Sequence, residues 1–229
     1  MRIKVCGARS RADVRLLAGA GADWVGLWHG VPGGGAELPP ALFADLADYC
    51  RAIGGPEAVL VTFLGDARKL AGLAVRTGVP IVQLHAYQPP AVVRALKAAA
   101  DVVVVKVLHL QGDACAEARF IPAYEKAGTD LFLLDTVAAD GKVGSTGHAL
   151  DPAAALALAD RLERPFLLAG GLTDRRSEEQ EEIAAHPLFH GIDVDTAARD
   201  AGGAFAPAQV TSIAQCWRAP ARVLAPVAV

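Results

Sequence analysis

The sequence predicts a single (β/α)₈ barrel. Short apolar, β-branched runs alternate eight times with Ala- and Leu-rich stretches of helical spacing. Nearly all of these runs are continuously apolar, as in parallel strands covered by helices. The length, 229 residues, lies near the roughly 250 that one such barrel takes. An open doubly wound sheet is the competing arrangement. Against it, the turn after the first strand lacks G-x-G-x-x-G, so nothing supports dinucleotide binding.

In chain order, residues 3–6 form the first strand and 11–20 the first helix, with Gly21 as a natural stop. Residues 24–27 are the second strand, and 42–53 a helix with apolar residues every three or four positions. The third pair is 58–63 and 66–77, closed by Gly78; the fourth is 81–84 and 90–100. The fifth strand lies within 101–108, followed by a helix over 114–126 stopped by Gly128. The sixth strand is 130–135, and Asp151 caps a helix over 151–161 with Pro152 in its first turn. The seventh pair is 165–169 and a helix over 173–186 capped by Thr173; the eighth is 191–194 and 207–217. The barrel thus spans residues 1–217 as one domain, with a tail over 218–229. The segment VPGGGAELPP (31–40) reads as a mobile loop after the second strand.

Composition narrows the function. The net charge is −3, with cations and anions interleaved, so the basic stripe of a nucleic-acid binder is missing. No apolar stretch of about 18 residues is present, so no membrane span is expected. Residues 1–20 carry too many charges for a secretory leader. The four cysteines (Cys6, Cys50, Cys115, Cys216) are scattered, which suits free thiols in a reducing cytoplasm.

Barrel chemistry sits at the C-terminal ends of the strands. Those positions hold Cys6 and Gly7, then His29, then Gln83 and His85, then Lys106 and His109, then Asp135 and Thr136. They continue with Gly144, Ser145, Thr146, Gly147 and His148, with Gly170 and Gly171, and with Asp193, Asp195 and Thr196. Cysteine is often only a small buried hydrophobe, but the place of Cys6 at a strand end, directly before Gly7, weighs against that reading. Asp135 reads as a loop cap or as an acid, and Lys106 as a structural ion pair or a ligand for substrate. Gly170-Gly171 forms a tight turn or lets backbone N–H groups approach an anion. His186-x-x-x-His190 has metal-like spacing but lies before the eighth strand, on the stability face, and contains Pro187. The acidic run 178–182 reads as a solvated helix face.

KVCG (4–7), VQLH (82–85), VVVK (103–106), LLDT (133–136), GSTG (144–147) and LAGGL (168–172) occur in order, each at a strand end. Together they resemble the phosphoribosylanthranilate isomerase family across essentially the whole barrel. The resemblance implies an Amadori rearrangement of an N-substituted phosphoribosylamine, with Asp135 as general acid and Cys6 as general base. It implies a small amino-sugar phosphate substrate, no metal or cofactor, and a monomer or homodimer. Gln83, His85, Lys106, Thr136, Gly144, Ser145, Thr146, Gly147, Gly170, Gly171, Asp193, Asp195 and Thr196 would contact the substrate.

Four departures stand out. Residues 31–40 contain no Arg or Lys, although the family usually places an Arg there for the anthranilate carboxylate. The family's D-V-S-S-G at the eighth strand is here Asp193-Val194-Asp195-Thr196-Ala197, which sets a carboxylate where phosphate is expected. The G-G-T-G segment is G-S-T-G, and Thr173 replaces a frequent Asn. Arg9, Arg175, Arg176 and Arg199 are candidate replacements for the lost positive charge. Three functions follow: the family isomerase with a divergent site, a paralogue acting on a related amino-sugar in specialised metabolism, or a catalytically silent barrel that binds a metabolite or partner.

Overall fold

The computed structural model describes residues 1–137, 150–176 and 178–220. Eight parallel strands pair in sequence order: β1 (Arg2–Cys6), β2 (Trp24–Trp28), β3 (Glu57–Thr62), β4 (Ile81–Leu84), β5 (Val103–Gln111), β6 (Leu131–Thr136), β7 (Phe166–Leu168) and β8 (Phe189–Val194). Strand β8 pairs back onto β1 in register Lys4↔Asp193, which closes the barrel. The helices around it are α1 (Arg11–Gly19), α2 (Pro40–Ala52), α3 (Ala67–Thr77), α4 (Pro90–Ala99), α5 (Ile121–Ala127), α6 (Pro152–Ala159), α7 (Glu178–Ala184) and α8 (Pro207–Arg218).

The strand period of two divides the apolar residues into two cores. Ile3, Val5, Val82, Leu84, Val104 and Leu108 face outward and pack under the helices. Val59, Val61, Ile81, Val105, Val107, Leu131, Leu133 and Leu167 fill the barrel itself. Each fully buried aliphatic side chain contributes about 1.5–3 kcal/mol over an exposed one. Three helix starts are capped by a side chain of the preceding residue. Ser10 accepts from the N–H of Asp13, Asp66 from those of Arg68 and Lys69, and Asp151 from those of Ala153 and Ala154.

Two predicted helices differ. Residues 114–126 do not form one helix. The chain turns at Gly112 (φ 61°), and Ala114–Cys115 pairs antiparallel with Leu110 and Gln111. A 3₁₀ turn at Ala118–Phe120 follows, and only then α5. The Gly112-Asp113 pair acts as a hairpin signal, and β5 consequently runs three residues beyond its predicted end. The seventh helix begins at Glu178, not Thr173, whose hydroxyl instead accepts from the N–H of Arg175 within a loop. The acidic run is not uniformly solvated either, since Glu181 is buried and lies 3.2 Å from Arg176.

His186 lies 3.5 Å from Asp160, and the His190 ring packs by Trp24. Among the described residues no helix is long and apolar enough to cross a membrane. The GSTG segment and residues 221–229 of the tail lie outside the described residues.

Candidate active site

At the C-terminal end of the barrel lies a cavity of about 650 Å³. Cys6 enters it from the end of β1. Its Sγ accepts from Lys4 Nζ at 3.3 Å and from Trp28 Nε1 at 3.0 Å. Lys4 shares the inward face because it lies two residues earlier on the same strand. Trp28 arrives through the β1–β2 register, Cys6↔Gly26. Gly26 is required there: a Cβ would stand 2.5 Å from Sγ. Lys4 also holds Asp193 on β8, at 2.6 Å, in an ion pair removed from solvent.

Burial pushes the Cys6 thiol up to about 12, and the charges of Asp193 and Asp195 push the same way, while Lys4 and the Trp28 N–H pull against them. Burial alone would lower Lys4, but the adjacent Asp193 and Cys6 outweigh it and raise it. Asp193 is raised by burial despite Lys4.

Asp135, at the end of β6, is 8% exposed. Burial first, then the charge of Asp193, lifts its carboxyl to about 7. The Thr136 N–H, donating to Oδ1 at 2.8 Å, opposes that rise. His85 Nε2 lies 3.6 Å from Asp135 Oδ2. Its Nδ1 is 2.9 Å from the Gln83 side-chain amide nitrogen. With that amide donating, Nδ1 is the acceptor and the ring proton resides on Nε2, facing Asp135. Burial, reinforced by the charges of His109, Lys4 and Lys106, keeps His85 neutral. His85 Nε2 and Asp193 Oδ1 are buried without a hydrogen-bond partner among the described residues. Both residues line the cavity, so a bound ligand has polar atoms to satisfy.

The β7 and β8 loops form the far end. Gly170 and Gly171 turn with φ of 94° and 66°, values at which a Cβ is strained. Asp195 is tied to Arg199, Nε to Oδ1, at 2.7 Å. The Arg199 guanidinium also donates to the carbonyls of Cys6, Gly7 and Gly203 and stacks on Phe205. Arg199 therefore serves the scaffold and Asp195. Arg176 packs over Trp217, while Arg9 and Arg175 are exposed. None of the described residues lining the cavity is Lys or Arg.

Of the residues singled out from the sequence, Cys6, His85, Asp135, Thr136, Gly170, Gly171, Asp193, Asp195 and Thr196 share this cavity. Gln83 sits below it, against His85. Lys106 does not belong to it. On β5 the inward residues are Val103, Val105, Val107 and His109, so Lys106 points to the helix side. There its Nζ donates to the carbonyls of Ala86 and Val107, lies 3.7 Å from Glu117 and sits over the Tyr124 ring. Gly144, Ser145, Thr146 and Gly147 lie outside the described residues. His29 turns away, its Nδ1 2.9 Å from the Leu38 carbonyl. Sequence reasoning misses Lys4 and Trp28. Strand alternation is the available signal for Lys4, whereas Trp28 needs the register between two strands.

A family model described as N-(5'-phosphoribosyl)anthranilate (PRA) isomerase matches residues 51–203. N-(5'-phosphoribosyl)anthranilate isomerase 2 of Methanosarcina mazei is 32% identical over 206 residues, which are 89% of this chain and 88% of that protein. The N-(5'-phosphoribosyl)anthranilate isomerase of Halobacterium salinarum is 36% identical over 75% of this chain and 76% of its own. The chain belongs to the phosphoribosylanthranilate isomerase family. Its fold agrees with that of the Pyrococcus furiosus phosphoribosylanthranilate isomerase, at a TM-score of 0.72 and 20% identity, covering 95% of this chain and 98% of that one. The Thermus thermophilus phosphoribosylanthranilate isomerase gives 0.71 at 24% identity, covering 94% and 98%. Within this isomerase family, the chain carries a cation-free 31–40 loop and an Asp195–Arg199 pair at the β8 end.

Proposed function

We propose that the chain isomerises N-(5'-phosphoribosyl)anthranilate to the corresponding N-substituted 1-amino-1-deoxyribulose phosphate. The supporting observation is one cavity holding a buried carboxyl raised to about 7 beside a neutral histidine, together with a thiol that receives two N–H donors. Near neutral pH, Asp135 is protonated often enough to act as a general acid. It gives its proton to the furanose ring oxygen as the C1–O bond breaks, leaving an iminium between C1 and the arylamine nitrogen. The Cys6 thiolate then takes the proton from C2, whose electron pair neutralises the iminium and yields an enolamine. Tautomerisation places a hydrogen on C1 and leaves a ketone at C2. Carbon 1 is reduced and carbon 2 oxidised within one molecule, so the redox balance closes without an external acceptor. His85 holds an N–H toward the Asp135 carboxylate produced in the first step.

The test is turnover of freshly generated phosphoribosylanthranilate, followed by loss of its fluorescence, with Cys6→Ser and Asp135→Asn as controls. Turnover abolished in both variants supports the assignment; a folded wild-type protein without turnover refutes it. Rescue of a tryptophan auxotroph checks the same activity in a cell. The Asp195 carboxylate at the β8 end favours a second reading, a related amino-sugar lacking the phosphate. Faster turnover of the dephosphorylated substrate distinguishes it.

A further inference from the structure

We propose that Trp28 is a positioning residue for the catalytic base, its indole N–H and the Lys4 ammonium forming a two-donor cradle for the Cys6 thiolate. This rests on the assignment of Cys6 as base. A neutral thiol is a weak acceptor, whereas a thiolate is a full anion that gains from each N–H aimed at it. Here two donors converge on one buried sulfur, at 3.0 and 3.3 Å. Gly26 leaves the space into which Sγ fits.

The charges around Sγ explain why a second donor matters. On β1 the sulfur faces Lys4; on β8 it faces Asp193, and just after β8 Asp195; β2 offers only Gly26 and Trp28. Arg199 is directed at the backbone carbonyl of Cys6, and Asp135 and His85 line the same cavity. The Lys4 charge is shared with Asp193 at 2.6 Å, so part of its pull on the sulfur is diverted to a carboxylate. Both carboxylates oppose ionisation of the thiol. The indole N–H carries no charge to be neutralised, so its support for the thiolate is the same at every pH.

Trp28→Phe keeps an aromatic ring and removes the donor. Replacing Trp28 alone with benzothienylalanine is closer still, because sulfur takes the place of the N–H in a ring of nearly the same shape. Lys4 is left intact because it is wholly buried in an ion pair. The measurement is the rate of Cys6 alkylation by iodoacetamide between pH 7 and 9, resolved by peptide mass spectrometry from Cys50, Cys115 and Cys216. The expected result is roughly a tenfold slower alkylation at each pH, the ordinary worth of one hydrogen bond to a charged group. kcat should fall by a similar factor, with KM and the unfolding midpoint retained. Unchanged alkylation in the benzothienylalanine protein overturns the cradle, even if turnover falls. Slower alkylation with unchanged kcat shows that Trp28 does not serve the reaction and also overturns the proposal. A Cys6→Ser protein that retains turnover refutes Cys6 as base instead, and the alkylation rates still report whether Trp28 supports the thiolate.

Discussion

Asp135→Asn should stabilise the protein at alkaline pH while abolishing turnover. The native carboxyl is raised from 3.8 to about 7. Between those values the unfolded chain has released the proton and the folded chain retains it. Stability from this group is therefore complete below the unfolded value and is lost as pH climbs through 7. From pH 5 to 8.5 the loss spans about two pKa units, or roughly 2.7 kcal/mol at 1.36 kcal/mol per unit. The amide of the variant does not ionise, and its oxygen can still accept from the Thr136 N–H. Urea unfolding of both proteins at pH 5 and pH 8.5 gives the comparison. The wild type should lose about 2–3 kcal/mol more than the variant over that interval. Parallel pH dependences in the two proteins would refute the claim that burial disfavours this carboxylate.

The catalytic pH profile follows from the same groups. With the acid at about 7 and the thiol at about 12, the productive form needs a protonated carboxyl and an ionised thiol. kcat/KM should rise tenfold per unit up to about pH 7 and then level off, because above that point one group gains what the other loses; a steady fall from pH 7 to 9 would contradict it. Gly26→Ala should cost about 1–3 kcal/mol and lower kcat, because its Cβ meets Cys6 Sγ at 2.5 Å and Cys6 Cα at 3.1 Å. Wild-type denaturant midpoint and turnover in that variant would show that the two strands do not pack so closely. Asp195→Ser with Ala197→Gly removes a carboxylate and leaves the charge of Arg199, still held by three carbonyls, without its counter-ion, and KM for the phosphorylated substrate should drop by about tenfold. An unchanged KM would place the phosphate elsewhere.

The barrel is legible because a parallel sheet wrapped in helices writes itself as repeated apolar runs, such as residues 131–134 and 166–168, separated by punctuating glycines such as Gly78 and Gly128. Strand ends then point to Cys6, His85 and Asp135 as residues of one cavity, which the closed topology brings together. Lys106 reads as a cavity residue only while a basic side chain near an expected strand end is counted without its parity. The hairpin at Gly112 lengthens β5 and moves the true end to Gln111, while strand alternation turns His109, not Lys106, inward. Trp28 and the Lys4–Asp193 pair stay hidden for a different reason. They depend on which residue of one strand lies beside which residue of another, and a single sequence carries no record of that register.

β5 is nine residues long, against four for β4 and three for β7. Its upper end is doubled by the Ala114–Cys115 strand, braced by the 2.6 Å His109–Glu117 contact and covered by the Tyr87 ring. None of the described residues lining the cavity comes from β5. Among the described residues, the mouth of the barrel thus has a raised parapet at β5 and a sill where residues 33–35 and the β8 loop line the cavity. For protein engineering this divides the described part of the rim into two territories. Grafted recognition loops belong on the sill, where they change what the cavity meets. Changes to the parapet act on a self-contained buttress and are better screened for folding yield than for altered selectivity.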